Sequence, residues 1–341
     1  MNFLKKILFP FSLLYGLITQ IRNYLYDTNL FKSNSFKTPT VVVGNLSVGG
    51  TGKTPQIEYL VRLLQDNYKV AVLSRGYKRK SKGFIIADKN ATAEIIGDEP
   101  YQYYLKFPGI VVCVDADRTN GIKKLEALEN APDIILLDDA FQHRKVRGGF
   151  NILLSSFDNL YVNDSMLPTG RLRESTKGAN RAQIVIITKS PKDLSEGKQL
   201  DIIKTLGLNE KQSVFFTTIE YDKTLKGETN LELSELQDKD VLLVTGIANP
   251  KPLNIFLINE GLKFKHLKYP DHHNFNEKEI DEINDLLTTN KWGLTTEKDY
   301  VRIFDRIKKL HFISIKTKFI NHKKDFDNLI NSYVEQSSRH S

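Results

Sequence analysis

A glycine-rich segment near residue 50 carries the residue types needed to hold a phosphate. The β-branched residues 40–43 predict a buried strand, and apolar residues at helical spacing begin at Ile57. Between them, glycines let backbone N–H groups face an anion, Lys53 adds a positive charge, and Thr54 offers a hydroxyl to Mg²⁺. The order of strand, loop and helix predicts a nucleotide-binding phosphate loop (P-loop). The residues expected to contact the nucleotide are Ser47, Val48, Gly49, Gly50, Thr51, Gly52, Lys53 and Thr54.

The match to the general P-loop pattern has one departure. In G-x-x-x-x-G-K-[ST] the first position is glycine, whereas this chain has Ser47. An ordinary glycine-rich turn between a strand and a helix is therefore the alternative. The predicted helix favours the phosphate interpretation, because the unpaired N–H groups and the dipole at a helix N-terminus stabilise negative charge.

Two aspartates follow a second apolar strand. Residues 134–137 are Ile-Ile-Leu-Leu, and Asp138 and Asp139 come directly after them. A carboxylate in this position holds Mg²⁺ opposite the P-loop hydroxyl in nucleotide-hydrolysing and kinase folds, although an Asp pair after a strand also serves as a turn or helix cap. We therefore predict that Asp138 and Asp139 bind the metal.

A charged loop at residues 167–174 offers further phosphate and metal contacts. Arg171 and Arg173 are able to clamp phosphoryl oxygens, and Glu174 is able to join the metal ligands. A solvated loop explains the same residues equally well.

Acid–base candidates occur in two separate segments. Asp98 begins a predicted helix in the sequence Gly-Asp-Glu-Pro, and His272 and His273 follow Asp271 in a predicted turn. The adjacent histidines suit a metal site, an acid–base element or a surface loop, but too few other histidines or cysteines lie nearby for zinc. A histidine paired with a carboxylate is a plausible proton relay.

The first 26 residues are rich in apolar side chains. The uncharged run 7–21 has 15 residues, which is short of the roughly 20 needed to cross a bilayer. Either this segment is a helix that lies in the membrane interface with Lys5 and Lys6 facing anionic headgroups, or it is a first helix packed on the protein core. The segment alone does not decide between the two.

Length and composition set the domain organisation and the broad class. The 341 residues, 40% apolar and 26% charged, suit a folded protein of two domains, and the net charge of +8 suits phosphorylated ligands or an anionic membrane. Cys113 is the one cysteine, so an intramolecular disulfide is excluded and a reducing compartment fits. Alternating strands and helices predict an α/β fold with a mostly parallel sheet. The expected division is an N-terminal helix at 1–30, a P-loop core at 31–221, a linker at 222–240 and a smaller α/β domain at 241–341.

Eight segments of the chain form an ordered set of motifs. They read GNLSVGGTGKTP, SRGY, GDEP, DDAFQH, GRLRE, TGIANP, PDHHNF and TEKD. In this order they resemble one enzyme family, tetraacyldisaccharide 4′-kinase, which is the lipid A 4′-kinase of Gram-negative bacteria. The resemblance covers about residues 1–302, and in this family serine is normal at the first P-loop position.

The resemblance implies a kinase that uses ATP and Mg²⁺ at the cytoplasmic face of the bacterial inner membrane. Its acceptor would be the lipid A precursor tetraacyldisaccharide 1-phosphate, and phosphorylation of the 4′-hydroxyl would give lipid IVA. A P-loop core, a smaller domain and a cleft that closes between them are also implied, with the N-terminal helix at the membrane. Neither a nucleic acid nor an obligate protein partner is expected.

The resemblance also assigns residues to roles. It maps a deprotonating pair onto Asp98 and His272, with His273 as the alternative histidine. The full set of expected catalytic residues is Asp98, His272, Lys53 and Arg171, and the expected metal ligands are Thr54, Asp138, Asp139 and Glu174.

Three other functions compete with this one. A P-loop ATPase of the partition or septum-site type normally has a lysine just before the two glycines, where this chain has Val48. A GTPase should show Asn-Lys-x-Asp, but residues 188–191 read Thr-Lys-Ser-Pro. A non-catalytic membrane adaptor would not explain the Asp pair or the two histidines.

Overall fold

The computed structural model describes residues 3–288, 291–303 and 305–338. Its strands are numbered in chain order. They are β1 (Thr40–Asn45), β2 (Val70–Ser74), β3 (Ile85–Ile86), β4 (Val111–Val114), β5 (Ile134–Asp138), β6 (Phe150–Ser156), β7 (Ile184–Thr188), β8 (Ser213–Tyr221), β9 (Thr224–Leu225), β10 (Leu231–Glu232), β11 (Val241–Thr245), β12 (Phe264–Lys268), β13 (Trp292–Thr296), β14 (Leu310–Ile313) and β15 (Ile315–Phe319).

The α-helices are also numbered in chain order. They are α1 (Phe3–Asp27), α2 (Lys53–Leu64), α3 (Ala93–Ile96), α4 (Asp98–Lys106), α5 (Arg118–Glu126), α6 (Glu196–Leu206), α7 (Lys251–Asn259), α8 (Glu277–Thr288), α9 (Glu297–Ile303) and α10 (Lys323–Ser338). Short 3₁₀ helices lie at Tyr161–Asn163, Thr176–Arg181 and Leu233–Leu236.

A nine-stranded sheet forms the larger unit. Its strand order is β15-β8-β7-β6-β1-β5-β2-β4-β3, and all pairs are parallel except those of the two edge strands β3 and β15. The fully buried strand β1 lies between β5 and β6, with Val43 beside Asp138. Ligands bind beyond the carboxyl ends of such strands, so this topology brings the P-loop and the two aspartates to one edge. The predicted α/β fold with a mostly parallel sheet is confirmed.

A second, four-stranded parallel sheet forms the smaller unit, with strand order β12-β11-β13-β14. The expected linker at 222–240 belongs to this unit, because Leu225, Leu233 and Leu236 are almost fully buried in its core. This stretch has few apolar residues, which is why the sequence predicts a linker. Those few leucines pack in the core of the smaller unit.

The C-terminal segment returns to the larger sheet, so the unit expected at 241–341 is not one continuous domain. Strand β15 pairs antiparallel with β8. From α10, Phe326, Ile330 and Val334 are fully buried in the core of the larger unit, where Phe326 packs against Phe215. Sequence patterns predict that a strand or a helix forms, but not which sheet it joins. The predicted domain boundary therefore differs from the observed one.

Helix α1 turns its apolar side chains away from the protein. Its buried residues are the small Ser12, Gly16 and Thr19, and Ser12 Oγ donates to the Met166 carbonyl at 2.7 Å. The large apolar side chains that are about half or more exposed are Ile7, Phe9, Phe11, Leu13, Leu14, Leu17, Ile18 and Ile21. Among the described residues, no helix combines the length and apolarity that a bilayer crossing requires.

Candidate active site

The P-loop is held in shape by hydrogen bonds from neighbouring strands. Asn45 at the end of β1 donates from Nδ2 to Thr51 Oγ1 at 2.8 Å, and Thr188 Oγ1 donates to the Thr51 carbonyl at 2.8 Å. Gly49 and Gly52 have φ of 114° and 84°, values that side chains disfavour. These bonds and backbone angles fix the loop at the N-terminus of α2, which begins at Lys53 and favours an anion.

Asp138 lies at the end of β5 with an unsatisfied oxygen. Its Oδ2 accepts from Ser74 Oγ at 3.0 Å, but its Oδ1 is buried with no hydrogen-bond partner among the described residues. Burial raises the pKa of Asp138 to about 7, and the negative charges of Glu99 and Asp139 add to this. A buried carboxylate oxygen without a donor fits a cation, and Mg²⁺ bound with a nucleotide needs only one or two such ligands.

Asp139 forms ion pairs on both sides. Lys53 Nζ lies 3.5 Å from its Oδ1, and Arg173 Nη1 lies 3.1 and 3.2 Å from its two oxygens. Burial alone would raise the pKa of Asp139, but the charges of Lys53 and Arg173 outweigh it and hold that pKa below its ordinary value. Asp139 is therefore an ionised carboxylate next to the P-loop lysine.

The two arginines of the 167–174 loop have different surroundings. Arg173 reaches Asp139, whereas Arg171 Nε donates to Asp164 Oδ2 at 2.9 Å and its Nη2 to Asn159 Oδ1 at 2.7 Å. The Arg171 side chain is 44% exposed, and only its backbone carbonyl contacts the P-loop, through Val48 N–H at 2.8 Å. The arginine of this loop that lies beside Asp139 is thus Arg173 and not Arg171, a difference that spacing in the sequence does not reveal.

Glu174 is satisfied by protein donors. It is fully buried, and Arg181 donates to both of its oxygens at 2.9 Å, with Gln142 at 3.1 Å and Asn23 of α1 at 2.8 Å. These bonds fix the loop and the first helix to the core. The geometry does not support the expected metal-ligand role of Glu174, and its partner Arg181 gave no signal in the sequence.

Arg118 is a site residue that the sequence reasoning did not single out. It begins α5, is almost fully buried, and donates to the carbonyls of Asp115 and Asp138 at 3.1 Å each. Burial lowers the pKa of Arg118 to about 10 although the charge of Asp138 opposes this. Its position after strand β4, at the edge where ligands bind, is the signal that would have found it.

Asp98 and His272 meet across the two units. His272 Nδ1 lies 3.0 Å from Asp98 Oδ2, and Lys298 Nζ lies 3.0 Å from His272 Nε2. A lysine ammonium only donates, so Nε2 accepts from Lys298. Arg302 Nη2, which also only donates, lies 3.1 Å from Nδ1, and we assign the histidine proton to Nδ1 because the Asp98 carboxylate beside it accepts.

Arg302 completes this cluster by donating to the same Asp98 oxygen. Burial works to raise the pKa of Asp98, but the hydrogen bonds from His272 and Arg302 outweigh it and hold that pKa below its ordinary value. The Asp98 carboxylate is therefore ionised.

His273 lies in a different environment from His272. Its Nε2 is 2.9 Å from Glu279 Oε2, and its ring stacks on Tyr269 with centroids 4.8 Å apart. These contacts hold the turn within the smaller unit. Of the two adjacent histidines, His272 is the one that faces Asp98.

Helix α4 joins the acid–base pair to the predicted metal site. Asp98 begins this helix, and the hydroxyl of Tyr103, just over one turn later, lies 3.5 Å from Asp138 Oδ2. One helix thus sets the position of Asp98 relative to the edge of the sheet where the P-loop and Asp138 lie.

A basic cavity opens beside the pair. Tyr77 packs edge-on against the His272 ring with centroids 5.5 Å apart. The cavity has a volume of about 370 Å³ and is lined by Arg75, Gly76, Tyr77, Lys78, Arg79, Ser81, Lys82, Gly83 and Ala116. Its charge suits an anionic group.

Comparison with known proteins identifies the family. A family model described as tetraacyldisaccharide-1-P 4′-kinase (LpxK) matches residues 4–335. The tetraacyldisaccharide 4′-kinase of Flavobacterium johnsoniae is 54% identical over 340 residues, 99% of each chain, and that of Bacteroides thetaiotaomicron is 41% identical over 98% of this chain and 95% of the relative. The crystal structure of the "apo" form of LpxK from Aquifex aeolicus in complex with ATP has a TM-score of 0.78 and 31% identity, covering 97% of this chain and 99% of that one. The chain therefore belongs to the tetraacyldisaccharide 4′-kinase family.

Proposed function

We propose that this protein transfers the γ-phosphoryl group of ATP to the 4′-hydroxyl of tetraacyldisaccharide 1-phosphate. The observation that carries the proposal is the 3.0 Å contact between Asp98 and His272. Asp98 begins α4, and Tyr103 of the same helix contacts Asp138. A sugar hydroxyl is a poor nucleophile, and a positioned base next to the phosphate site supplies what it lacks. The alternative, a partition-type ATPase, requires no such base.

The P-loop and its neighbours hold the nucleotide. The P-loop N–H groups would face the phosphates, except that of Val48, which donates to the Arg171 carbonyl. Lys53 and Arg173 place two cations beside Asp139. Thr54, Asp138 and Asp139 would hold Mg²⁺, which neutralises charge on the β- and γ-phosphates when bound. Arg118 adds a buried positive charge behind Asp138.

Asp98 accepts the proton of the attacking hydroxyl. As the 4′-oxygen forms its bond to the γ-phosphorus, the bond to the leaving oxygen of ADP breaks and the O–H bond passes its proton to the Asp98 carboxylate. His272 orients that carboxylate through Nδ1, and Lys298 fixes the tautomer by donating to Nε2. The basic cavity next to Tyr77 supports binding of the 1-phosphate of the acceptor.

The exposed apolar face of α1 supports a location at a membrane surface. The substrate keeps its acyl chains in a bilayer, and a contiguous apolar face toward solvent is costly unless something covers it. The exposed Lys5 and Lys6 at the start of this helix suit anionic headgroups. We propose that α1 lies in the interface at the cytoplasmic face of the inner membrane.

Phosphate transfer to the purified lipid tests the proposed activity. With MgATP and tetraacyldisaccharide 1-phosphate in detergent micelles, we expect a product with one more phosphate on the 4′-oxygen, detected by mass spectrometry. An acceptor that lacks the 4′-hydroxyl is the control. ATP hydrolysis without lipid phosphorylation would contradict the proposal.

Substitutions in the acid–base pair test the roles of the residues. We expect Asp98→Ala and His272→Ala each to lower kcat by about two orders of magnitude or more. The double variant should lose hardly more than either, because the two act as a unit. His273→Ala is the matched control and should keep most of its activity. Multiplicative losses in the double variant would rule out a coupled pair.

A further inference from the structure

Helix α1 is hydrogen-bonded to the 167–174 loop, and the proposed chemistry does not use these bonds. Ser12 Oγ lies 2.7 Å from Thr169 Oγ1 and accepts from the Thr169 N–H at 3.2 Å, and both side chains are buried. Tyr15, almost one turn later, donates from its hydroxyl to the Arg173 carbonyl at 2.9 Å. A helix whose large apolar side chains face outward is thus attached to this loop by polar bonds.

The same loop is bonded on its other side to the start of the P-loop. The Arg173 N–H donates to the Leu46 carbonyl at 2.7 Å, and Ser47 pairs with Leu172 as an isolated antiparallel bridge. Leu46 follows β1 directly. The loop therefore lies between α1 and the strand end from which the P-loop begins.

Arg173 is the residue at which the two sets of bonds meet. Its N–H donates to Leu46 and its carbonyl accepts from Tyr15, so its backbone is fixed on both sides of the Cα atom. From this position its guanidinium reaches the two oxygens of Asp139 at 3.1 and 3.2 Å. A charged group at a catalytic site needs such support, because it has to stay within about 0.5 Å of its productive position.

We propose that Tyr15 is a positioning residue for Arg173. The Tyr15 hydroxyl holds the Arg173 carbonyl, and the guanidinium therefore stays beside Asp139, where the phosphoryl group is transferred. Helix α1 then acts on the reaction as well as on the location of the protein, through a side chain that donates to the loop. This inference rests on the proposed function for what Arg173 does.

Tyr15→Phe removes the hydroxyl and keeps the ring. We expect kcat for lipid phosphorylation to fall about fivefold, the size of one lost hydrogen bond, while binding to anionic vesicles stays at the parental level. Tyr24→Phe is the matched control, because Tyr24 lies on the same helix and is 63% exposed. It should match the parent in both measurements. Vesicle binding that falls together with kcat in Tyr15→Phe would make Tyr15 part of the membrane anchor and overturn the inference.

A double-mutant cycle separates positioning of Arg173 from general support of the fold. If Tyr15 acts through the guanidinium, Tyr15→Phe should cost almost nothing when it is added to Arg173→Ala. Multiplicative losses in the double variant, or an unchanged kcat in Tyr15→Phe, would overturn the inference.

The affinity for MgATP distinguishes failure of this inference from failure of the proposed function. If the parent binds MgATP but does not phosphorylate the lipid, the proposed function fails. Calorimetric titration then compares the dissociation constants of the same four proteins for MgATP. A loss in Tyr15→Phe that disappears in the Arg173→Ala background supports the inference, whereas equal losses in both backgrounds, or none, overturn it.

Discussion

Helices α1 and α2 are both rich in apolar residues, but they present them in opposite directions. In α2, Ile57, Leu60, Val61 and Leu64 are fully buried, and the function lies at its N-terminus beside Lys53. In α1, the large apolar side chains face outward, and small residues such as Gly16 contact the protein. Periodicity therefore predicts that a helix has an apolar face but not what that face contacts. The small polar residues Ser12 and Thr19 mark the side of α1 that packs against the protein.

The largest expected effect is at the N-terminus of α2. Lys53→Ala should lower kcat by at least about two orders of magnitude, because it removes a positive charge beside the transferred phosphoryl group. Lipid phosphorylation by the purified variant measures this. Near-normal transfer would show that the N-terminus of α2 is not the phosphate site.

Matched leucines test the comparison directly. Leu60 is fully buried, whereas Leu17 is 54% exposed. Leu60→Ala should lower the free energy of unfolding by about 2–5 kcal/mol through lost apolar burial and a cavity. Leu17→Ala should change it by less than about 0.5 kcal/mol. Urea denaturation measures both, and a large loss at Leu17 would show that α1 packs as a core helix.

The outward face of α1 should bind membranes. Replacing Leu14, Leu17 and Ile18 together with glutamine should lower binding to anionic lipid vesicles by at least about tenfold, because three apolar side chains no longer enter the interface. Flotation of vesicles measures this, and MgATP affinity should not change. Leu200→Gln on α6, which is 56% exposed, is the control for a general loss of surface apolarity. Equal binding of parent and triple variant would assign the exposed face to another partner.

The smallest expected effect concerns stability next to α2. The pKa of Asp138 is about 7 in the folded protein, above its value of about 4 when unfolded, so its contribution to stability is present at low pH and is lost as the pH rises to 7. Asp138→Asn has no carboxyl group to ionise at this position, so the variant should not lose this stability as the pH rises. In the absence of metal and nucleotide, its melting temperature should exceed that of the parent at pH 8, by more than any difference at pH 4.5. A melting difference that does not depend on pH would mean that the Asp138 carboxylate is not the titrating group.

The parts of the candidate site that are visible in the sequence are local along the chain. The P-loop is one continuous segment, and Asp138 and Asp139 end a strand whose apolar composition is visible in the sequence. Asp98 and His272 are far apart in the chain, and the family resemblance, not spacing, paired them. Their contact at 3.0 Å agrees with that pairing, while their catalytic role stays a prediction.

The residues that sequence predicted poorly depend on distant partners. Glu174 is a carboxylate in a charged loop, and its burial against Arg181 and Asn23 is visible only after folding. Arg171 and Arg173 are two positions apart with the same chemistry, and only the structure shows which one reaches Asp139. The same limit applies to α10, whose apolar face gives no sign of which sheet it covers.

Lys106 lies where the two units meet, at the end of the helix that begins with Asp98. Its Nζ is 2.8 Å from Glu58 of α2 and 2.7 Å from Glu297 of α9, and all three side chains are nearly buried. Two carboxylates thus share one ammonium, and burial raises the pKa of Glu297, with the charge of Glu58 adding to this. Glu58 also pairs with Arg62 at 2.8 Å and accepts from Gln102 at 2.9 Å, so Lys106 is the cation that joins Glu297 of α9 to this cluster. The shared lysine therefore links three helices, so that α2, which begins at the P-loop, and α9, which carries Lys298 and Arg302, are held to the same end of α4.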